Sequence, residues 1–156
     1  MVNLSPKHVY QSKTEQVQLL MPEHISGSGR LFGGRLVEWI DIVAAVTARR
    51  HSGRNVTTVS IDHLEFRKPA YSNDTLVLTG QIIYTGRTSM EIKVDTFIER
   101  LDGEKLLINR AYLVMVALGD DDKPTEVPPL ICDTDEERQE YDEAKRRRDA
   151  RKMPVT

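Results

Sequence analysis

Gly33-Gly34-Arg35-Leu36-Val37-Glu38-Trp39-Ile40-Asp41-Ile42-Val43-Ala44-Ala45-Val46-Thr47-Ala48-Arg49-Arg50 is the stretch on which the fold turns. Leu36, Ile40, Val43 and Thr47 recur at helical spacing, and Val37, Ala44, Ala45 and Ala48 widen the stripe onto the adjoining face. Glycines open the segment. Arg49, Arg50 and His51 suit the negative end of a helix dipole, and Gly53 supplies a stop. The pattern predicts a helix over 33–50. No other long apolar helix is offered by the sequence, so this one belongs at the centre of the fold. Its alanine side lets another element approach closely.

Outward from the helix the period changes. Upstream, Met21 to Gly34 is rich in turn formers and reads as an irregular loop, preceded by a strand over 14–20 with Val17 and Leu19 on one face. The first dozen residues are polar and read as loose. Downstream, strands are expected over 56–66, 75–85, 89–99 and 106–118. In the third of these, Met90, Ile92, Val94 and Ile98 alternate with Glu91, Lys93, Asp95 and Glu99, which predicts one buried and one polar face. Asp102-Gly103 marks a tight hairpin turn. A strand, a helix and four further strands with short connections predict an antiparallel meander covered on one face by the lone helix, an α+β domain.

The tail, Asp133 to Met153, is different in character. Thr134 with Glu137 resembles a capping box, acids crowd the first turns and bases the last, and Asp142/Arg146 and Glu143/Arg147 are spaced to pair along a helix. With almost no apolar face, this charged C-terminal helix is expected on the surface. The chain therefore divides into a main domain, residues 1–130, and a helical tail, residues 131–156.

Composition narrows the class of function. The chain has 156 residues, 39% apolar and 29% charged, enough for one core with a well-solvated surface. A net charge of -2 gives no bulk attraction to nucleic acid or to an anionic membrane. The N-terminus lacks the apolar run of a signal peptide, and no apolar stretch reaches the roughly 18 residues of a membrane span. A single cysteine, Cys132, makes no intramolecular disulfide. A cytoplasmic protein is expected, with neither nucleic acid nor membrane as partner.

Asp41 stands out chemically. It interrupts the apolar run Ile40 to Val46, where a carboxylate is costly without a hydrogen-bond partner, and carboxylates in such surroundings concentrate at functional sites. The plain alternative is an edge-of-stripe residue capping a loop. At the helix start, the free amides of Gly33-Gly34 and the positive dipole end suit a developing oxyanion, although a double glycine is also ordinary turn chemistry. Asp41 lies two turns on, roughly 10 Å by helical rise, so a pocket using both calls for a second subunit. Gly86-Arg87-Thr88-Ser89-Met90 joins two strands and combines a glycine, an arginine and two hydroxyls, a set suited to phosphate or to a plain hairpin turn. His8, His24, His51 and His63 lack metal-ligand spacing, so no metal is expected. There is no serine nucleophile elbow and no P-loop, and Cys132 reads as incidental. The basic run Lys145-Arg146-Arg147-Arg148 suits contact with phosphates, and a solvated helix end explains it as well.

Met21-Pro22, Gly29, Phe32-Gly33-Gly34, Leu36, Asp41, Ala44-Ala45, Ala48, Arg50-His51, Asp62, Phe66, Pro69 and Gly86-Arg87-Thr88-Ser89-Met90 together resemble the acyl-CoA hydrolase family of hotdog thioesterases, over about residues 21–118. The resemblance implies the hotdog fold, an antiparallel sheet wrapped around one long central helix. It also implies homodimers with active sites at the subunit interface, assembled further into trimers of dimers. By the same resemblance, Asp41 activates water or attacks the thioester, Gly34 and Gly33 stabilise the oxyanion, and Gly86, Arg87, Thr88 and Ser89 hold coenzyme A. Coenzyme A is then part of the substrate, and no separate cofactor is implied. The chain departs from the family at Pro22-Glu23-His24-Ile25-Ser26, where the family carries Pro-x-Asp-x-Asn; Ser26 replaces the asparagine as a shorter polar helper. Acyl-CoA hydrolysis is the expected activity. The rivals are an acyl-CoA-binding module without catalysis, favoured by Ser26 and His24, and a hotdog hydratase or dehydratase, which needs a histidine beside Asp41.

Overall fold

The computed structural model describes residues 3–152, with the side chains of His63 and Lys152 outside the described set. Met1-Val2 and Met153–Thr156, which belong to the readings of the N-terminus and of the tail, also lie outside it. Strands β1 (Lys7–His8) and β2 (Thr14–Leu19) precede helix α1 (Gly33–Ser52). Strands β3 (Asn55–Phe66), β4 (Thr75–Thr85), β5 (Ser89–Glu99), β6 (Lys105–Leu118) and β7 (Leu130–Ile131) follow, and helix α2 (Asp135–Lys152) closes the chain. Short 3-10 turns lie at Val9–Gln11 and Pro22–His24.

Helix α1 ends where the sequence places its stop: Gly53 is left-handed at φ 67 and its N–H bonds the Arg49 carbonyl. Its apolar stripe is buried as expected, with Leu36, Ile40, Val43, Ala44 and Ala48 at 1% exposure or less. These side chains pack on Leu76, Leu78, Ile82, Met90, Ile92 and Leu113 of the sheet. Each fully buried leucine or isoleucine contributes on the order of 1.5–3 kcal/mol. The helix crosses β4 at Gly80, where an added Cβ would sit 2.6 Å from Thr47 Oγ1 and 2.8 Å from Val43 Cγ1. Glycine there sets how close helix and sheet come. Thr47 is satisfied in this apolar surround because its hydroxyl donates to the Val43 carbonyl at 2.8 Å.

The sheet has five strands in the order β2-β4-β5-β6-β3, all antiparallel. It curls around α1, the hotdog architecture. The simple meander expected from the sequence holds only for β4-β5-β6. Strand β3 does not pair with β4; it lies at the opposite edge, against β6. Residues 67–74, with Pro69 and left-handed Asn73, carry the chain from that edge into the sheet interior. The physical reason is closure: β3 leaves the C-terminal end of α1 and covers the flank that β2 does not reach.

One further expectation changes. Residues 7–12 are not loose. Lys7 and His8 pair in parallel with Leu130 and Ile131, His8 Nδ1 meets Asp133 at 2.8 Å, and Val9 is buried. The tail lies on the surface, as its charge pattern predicts, and packs along the domain. Thr134 Oγ1 accepts from the Glu137 N–H, the expected cap, but Glu137 reaches back to the Asp133 N–H rather than to that of Thr134. From there α2 lies on the outer face of the sheet, burying Ala144 completely and packing the Tyr141 ring against Tyr84 at 4.8 Å with a 48° tilt.

The polar face of β5, read as solvated, is thereby covered. Glu91 is 2% exposed and Asp95 9%. Arg147 donates to Glu91 at 3.0 Å, Lys93 pairs with Glu140, and Arg110 clamps Asp95 at 2.6 and 3.0 Å. Arg147 thus leaves Glu143, its expected helical partner, for a carboxylate that burial makes more demanding.

Candidate active site at the free edge of the sheet

Asp41 lies on the flank of α1 between the buried stripe and an exposed one formed by Gly34, Glu38 and Ile42. The flank faces β3, one of the two edge strands of the sheet. Thr58 of β3 donates its hydroxyl to Asp41 Oδ1 at 2.7 Å. That bond fixes the carboxylate's direction, and Oδ2 keeps no partner among the described residues. Sequence reasoning missed Thr58, because a threonine in Val56-Thr57-Thr58-Val59 is indistinguishable from an ordinary strand former. Along this edge and at the helix tip, Phe32, Ile42, Val59, Ile61 and Phe66 are between 36% and 60% exposed. One chain alone therefore presents Asp41 within an uncovered apolar surface rather than in a closed crevice.

At the other end of this flank, the first helical hydrogen bonds are donated by Arg35 and Leu36, both to the Phe32 carbonyl. The amides of Gly33 and Gly34 precede them and have no backbone acceptor. Aromatic rings lie beside both glycines, tightly only at Gly34. A Cβ at Gly34 would sit 2.8 Å from Phe32 Cε1, and one at Gly33 3.7 Å from Phe66 Cζ. A cavity of about 350 Å³ opens beside Gly33, floored by Leu36, Phe66 and Ile108 and rimmed by Arg30, Arg67 and Lys68. A basic rim at the positive end of a helix favours an anionic ligand. Ser26 does not face this opening freely: its hydroxyl lies 2.8 Å from Ser28 Oγ and donates to the Arg30 carbonyl at 3.1 Å. His24 has a structural task, accepting the Met21 N–H at Nδ1 (3.0 Å) while its ring meets Trp39 edge-on at 5.0 Å.

The 86–89 turn is held rigidly. Gly86 N–H donates to the Ser89 carbonyl, Ala117 N–H to the Thr88 carbonyl and Val127 N–H to the Arg87 carbonyl, at 2.9–3.0 Å. The Arg87 guanidinium projects outward, 76% exposed and 3.9 Å from Glu126. Register places this turn near Asp41. Met90 pairs with Met115, and Met115 with Thr58, so Met90 and Thr58 share one row. Two strand spacings separate them, roughly 10 Å. Within one chain the turn and the helix tip each stand roughly 10 Å from the acid and its tether.

Residues 28–103 match the model of the thioesterase superfamily. The acyl-CoA thioester hydrolase YkhA of Bacillus subtilis is 34% identical over 143 residues, covering 91% of this chain and 83% of its own. The chain belongs to the hotdog acyl-CoA thioesterases. Among solved structures, an acyl-CoA hydrolase from Staphylococcus aureus in complex with butyryl coenzyme A superposes with a TM-score of 0.89 at 35% identity, over 94% of this chain and 90% of that one. That hydrolase has also been solved as alanine mutants of an asparagine, an aspartate and a threonine. An apo-hexameric acyl-CoA thioesterase matches with a TM-score of 0.90 at 38% identity, over 95% of this chain and 96% of that one.

In this thioesterase the remaining reactive groups lie elsewhere. His8 pairs with Asp133, His24 packs on Trp39, and His51 Nε2 bonds the Pro128 carbonyl at 2.8 Å. None of these three is directed at Asp41. Burial pushes the Cys132 thiol up, the opposite of a nucleophile's need. Among the described residues no three His, Cys, Asp or Glu side chains are grouped to hold a metal ion, and no helix is long and apolar enough to cross a membrane.

Proposed function

We propose that this chain hydrolyses acyl-CoA to free coenzyme A and a carboxylic acid at sites formed between two copies of itself. The tethered Asp41 carboxylate carries the proposal: one oxygen is held by Thr58 at 2.7 Å, and the other is left to take a proton from water or to attack the thioester. Water adds to the carbonyl carbon, its proton passes to Asp41, and the carbonyl oxygen becomes an oxyanion. Amides of Gly34 and Gly33 from the second copy stabilise that charge. Collapse of the intermediate expels the coenzyme A thiolate, which regains the proton. Ser26 sits near the helix tip as a polar helper. Gly86, Arg87, Thr88 and Ser89 hold coenzyme A.

The second copy is required by distance. The glycine amides stand about 10 Å of helical rise from Asp41 within one chain. The uncovered apolar edge bearing Val59, Ile61 and Phe66 supports a homodimer formed there, and trimers of such dimers are the proposed full assembly. A cytosolic oligomer working without metal or separate cofactor is the resulting picture.

The test is thiol release over a panel of acyl-CoA chain lengths, with Asp41→Ala as control. A rate loss of at least ~100-fold is expected, the scale of a lost general base. Near-normal turnover by Asp41→Ala removes Asp41 from the mechanism. One observation favours a second reading, a binding module without hydrolysis: the Ser26 hydroxyl is already engaged in its own turn. Acyl-CoA that raises the thermal midpoint of the native chain without releasing thiol supports that alternative.

A further inference from the structure

We infer that helix α2 completes the coenzyme A site, with Arg148 receiving a phosphate at the nucleotide end. The inference rests on the acyl-CoA reading above and extends it to the basic run of the C-terminal helix. Gly86 is the first observation. Its backbone lies outside the left-handed region, so conformation does not demand glycine there. Space does: an added Cβ would meet Ser89 Oγ at 2.7 Å and Arg148 Nη2 at 3.0 Å. The glycine admits the α2 guanidinium directly onto the turn.

Charge is the second. Arg147 is committed to Glu91 at 3.0 Å, and Arg151 to Asp62 at 3.1 Å and Glu91 at 3.7 Å. Arg148 has no carboxylate partner among the described residues. It donates through Nη1 to the Tyr84 hydroxyl at 2.6 Å, leaving most of its five N–H donors for another acceptor. A planar fork with spare donors, beside a serine hydroxyl, suits a phosphate.

Shape is the third. Tyr84, Glu91, Val114 and Ser60 form one register row across β4, β5, β6 and β3 on the outer face. Above that row is a cavity of about 350 Å³, walled by Val59 and Val114 and closed on the helix side by Arg148 and Arg151. The apolar walls fit a flat base, and the charge of Glu91 is answered by Arg147 and Arg151. The occupant assigned is the phosphoadenosine end of coenzyme A.

The experiment measures coenzyme A binding by calorimetry, and KM for acyl-CoA against an acyl-pantetheine thioester, for the native chain, Arg148→Gln and Arg146→Gln. Arg146→Gln removes the same charge from an exposed position on the same helix. Arg148→Gln is expected to weaken coenzyme A binding by about 10- to 100-fold, the scale of a lost charge-assisted contact. KM for acyl-CoA rises in parallel, the acyl-pantetheine value is unchanged, and Arg146→Gln stays within about twofold of native. Native-like coenzyme A affinity in Arg148→Gln, or equal losses in both variants, overturns the inference while leaving hydrolysis intact. Arg148-dependent coenzyme A binding with no thiol release from the native chain does the reverse: the inference stands and the hydrolase reading falls.

Discussion

Thr58→Val isolates the one contact that orients the proposed catalytic carboxylate. Valine keeps the β-branched shape that suits β3 and deletes only the hydroxyl that donates to Asp41 Oδ1 at 2.7 Å. Thr58 is exposed and Asp41 half-buried, so water replaces most of the lost bond in the resting protein. The stability cost should stay under about 1 kcal/mol, a shift of a few degrees in Tm. Catalysis is affected differently, because the reaction needs Oδ2 aimed at its water or thioester. A hydrogen bond to a charged group is worth about 1.5–3 kcal/mol, and each 1.36 kcal/mol of barrier is tenfold in rate, so kcat should fall about 10- to 100-fold. KM should change little, since the contact binds no part of coenzyme A. Thr58→Ser restores the hydroxyl and should recover most of the rate. Steady-state thiol release with thermal unfolding on all three proteins decides the matter. A Thr58→Val enzyme with kcat within twofold of native, alongside an inactive Asp41→Ala, refutes the orienting role; a large Tm loss recasts Thr58 as structural.

Arg87→Ala should raise KM for acyl-CoA more than it lowers kcat, because an outward guanidinium on the turn serves binding shared by substrate and transition state; steady-state kinetics checks this. Gly80→Ala should destabilise the fold by about 1–3 kcal/mol, because the new methyl meets Thr47 Oγ1 at 2.6 Å inside a packed core; the denaturant midpoint reads it. His51 governs the acid limb of stability. Burial lowers its pKa from the ordinary 6.5, so as pH falls below that value the unfolded chain gains a proton that the folded one refuses. Stability should therefore decline below pH 6.5 and level off once the folded histidine also charges, with His51→Gln showing a shallower decline in Tm measured from pH 8 to 5.

Sequence alone determined whatever depends on near neighbours. The stripe of Leu36, Ile40, Val43 and Thr47 marks the central helix, Gly53 its end, and the alternation in β5 its core-facing residues, because helical and strand periods are written into adjacent positions. It also singled out Asp41, as a carboxylate out of place in an apolar run. Tertiary structure decided what distant residues do to one another. Strand β3 chose β6 over β4 because the sheet must close around α1. The face of β5 read as solvated became the bed of α2, with Glu91 and Arg147 joined across 56 positions. The Asp41–Thr58 bond spans 17 positions and a chain reversal. Such pairings are set by how layers pack, and no local period carries that information.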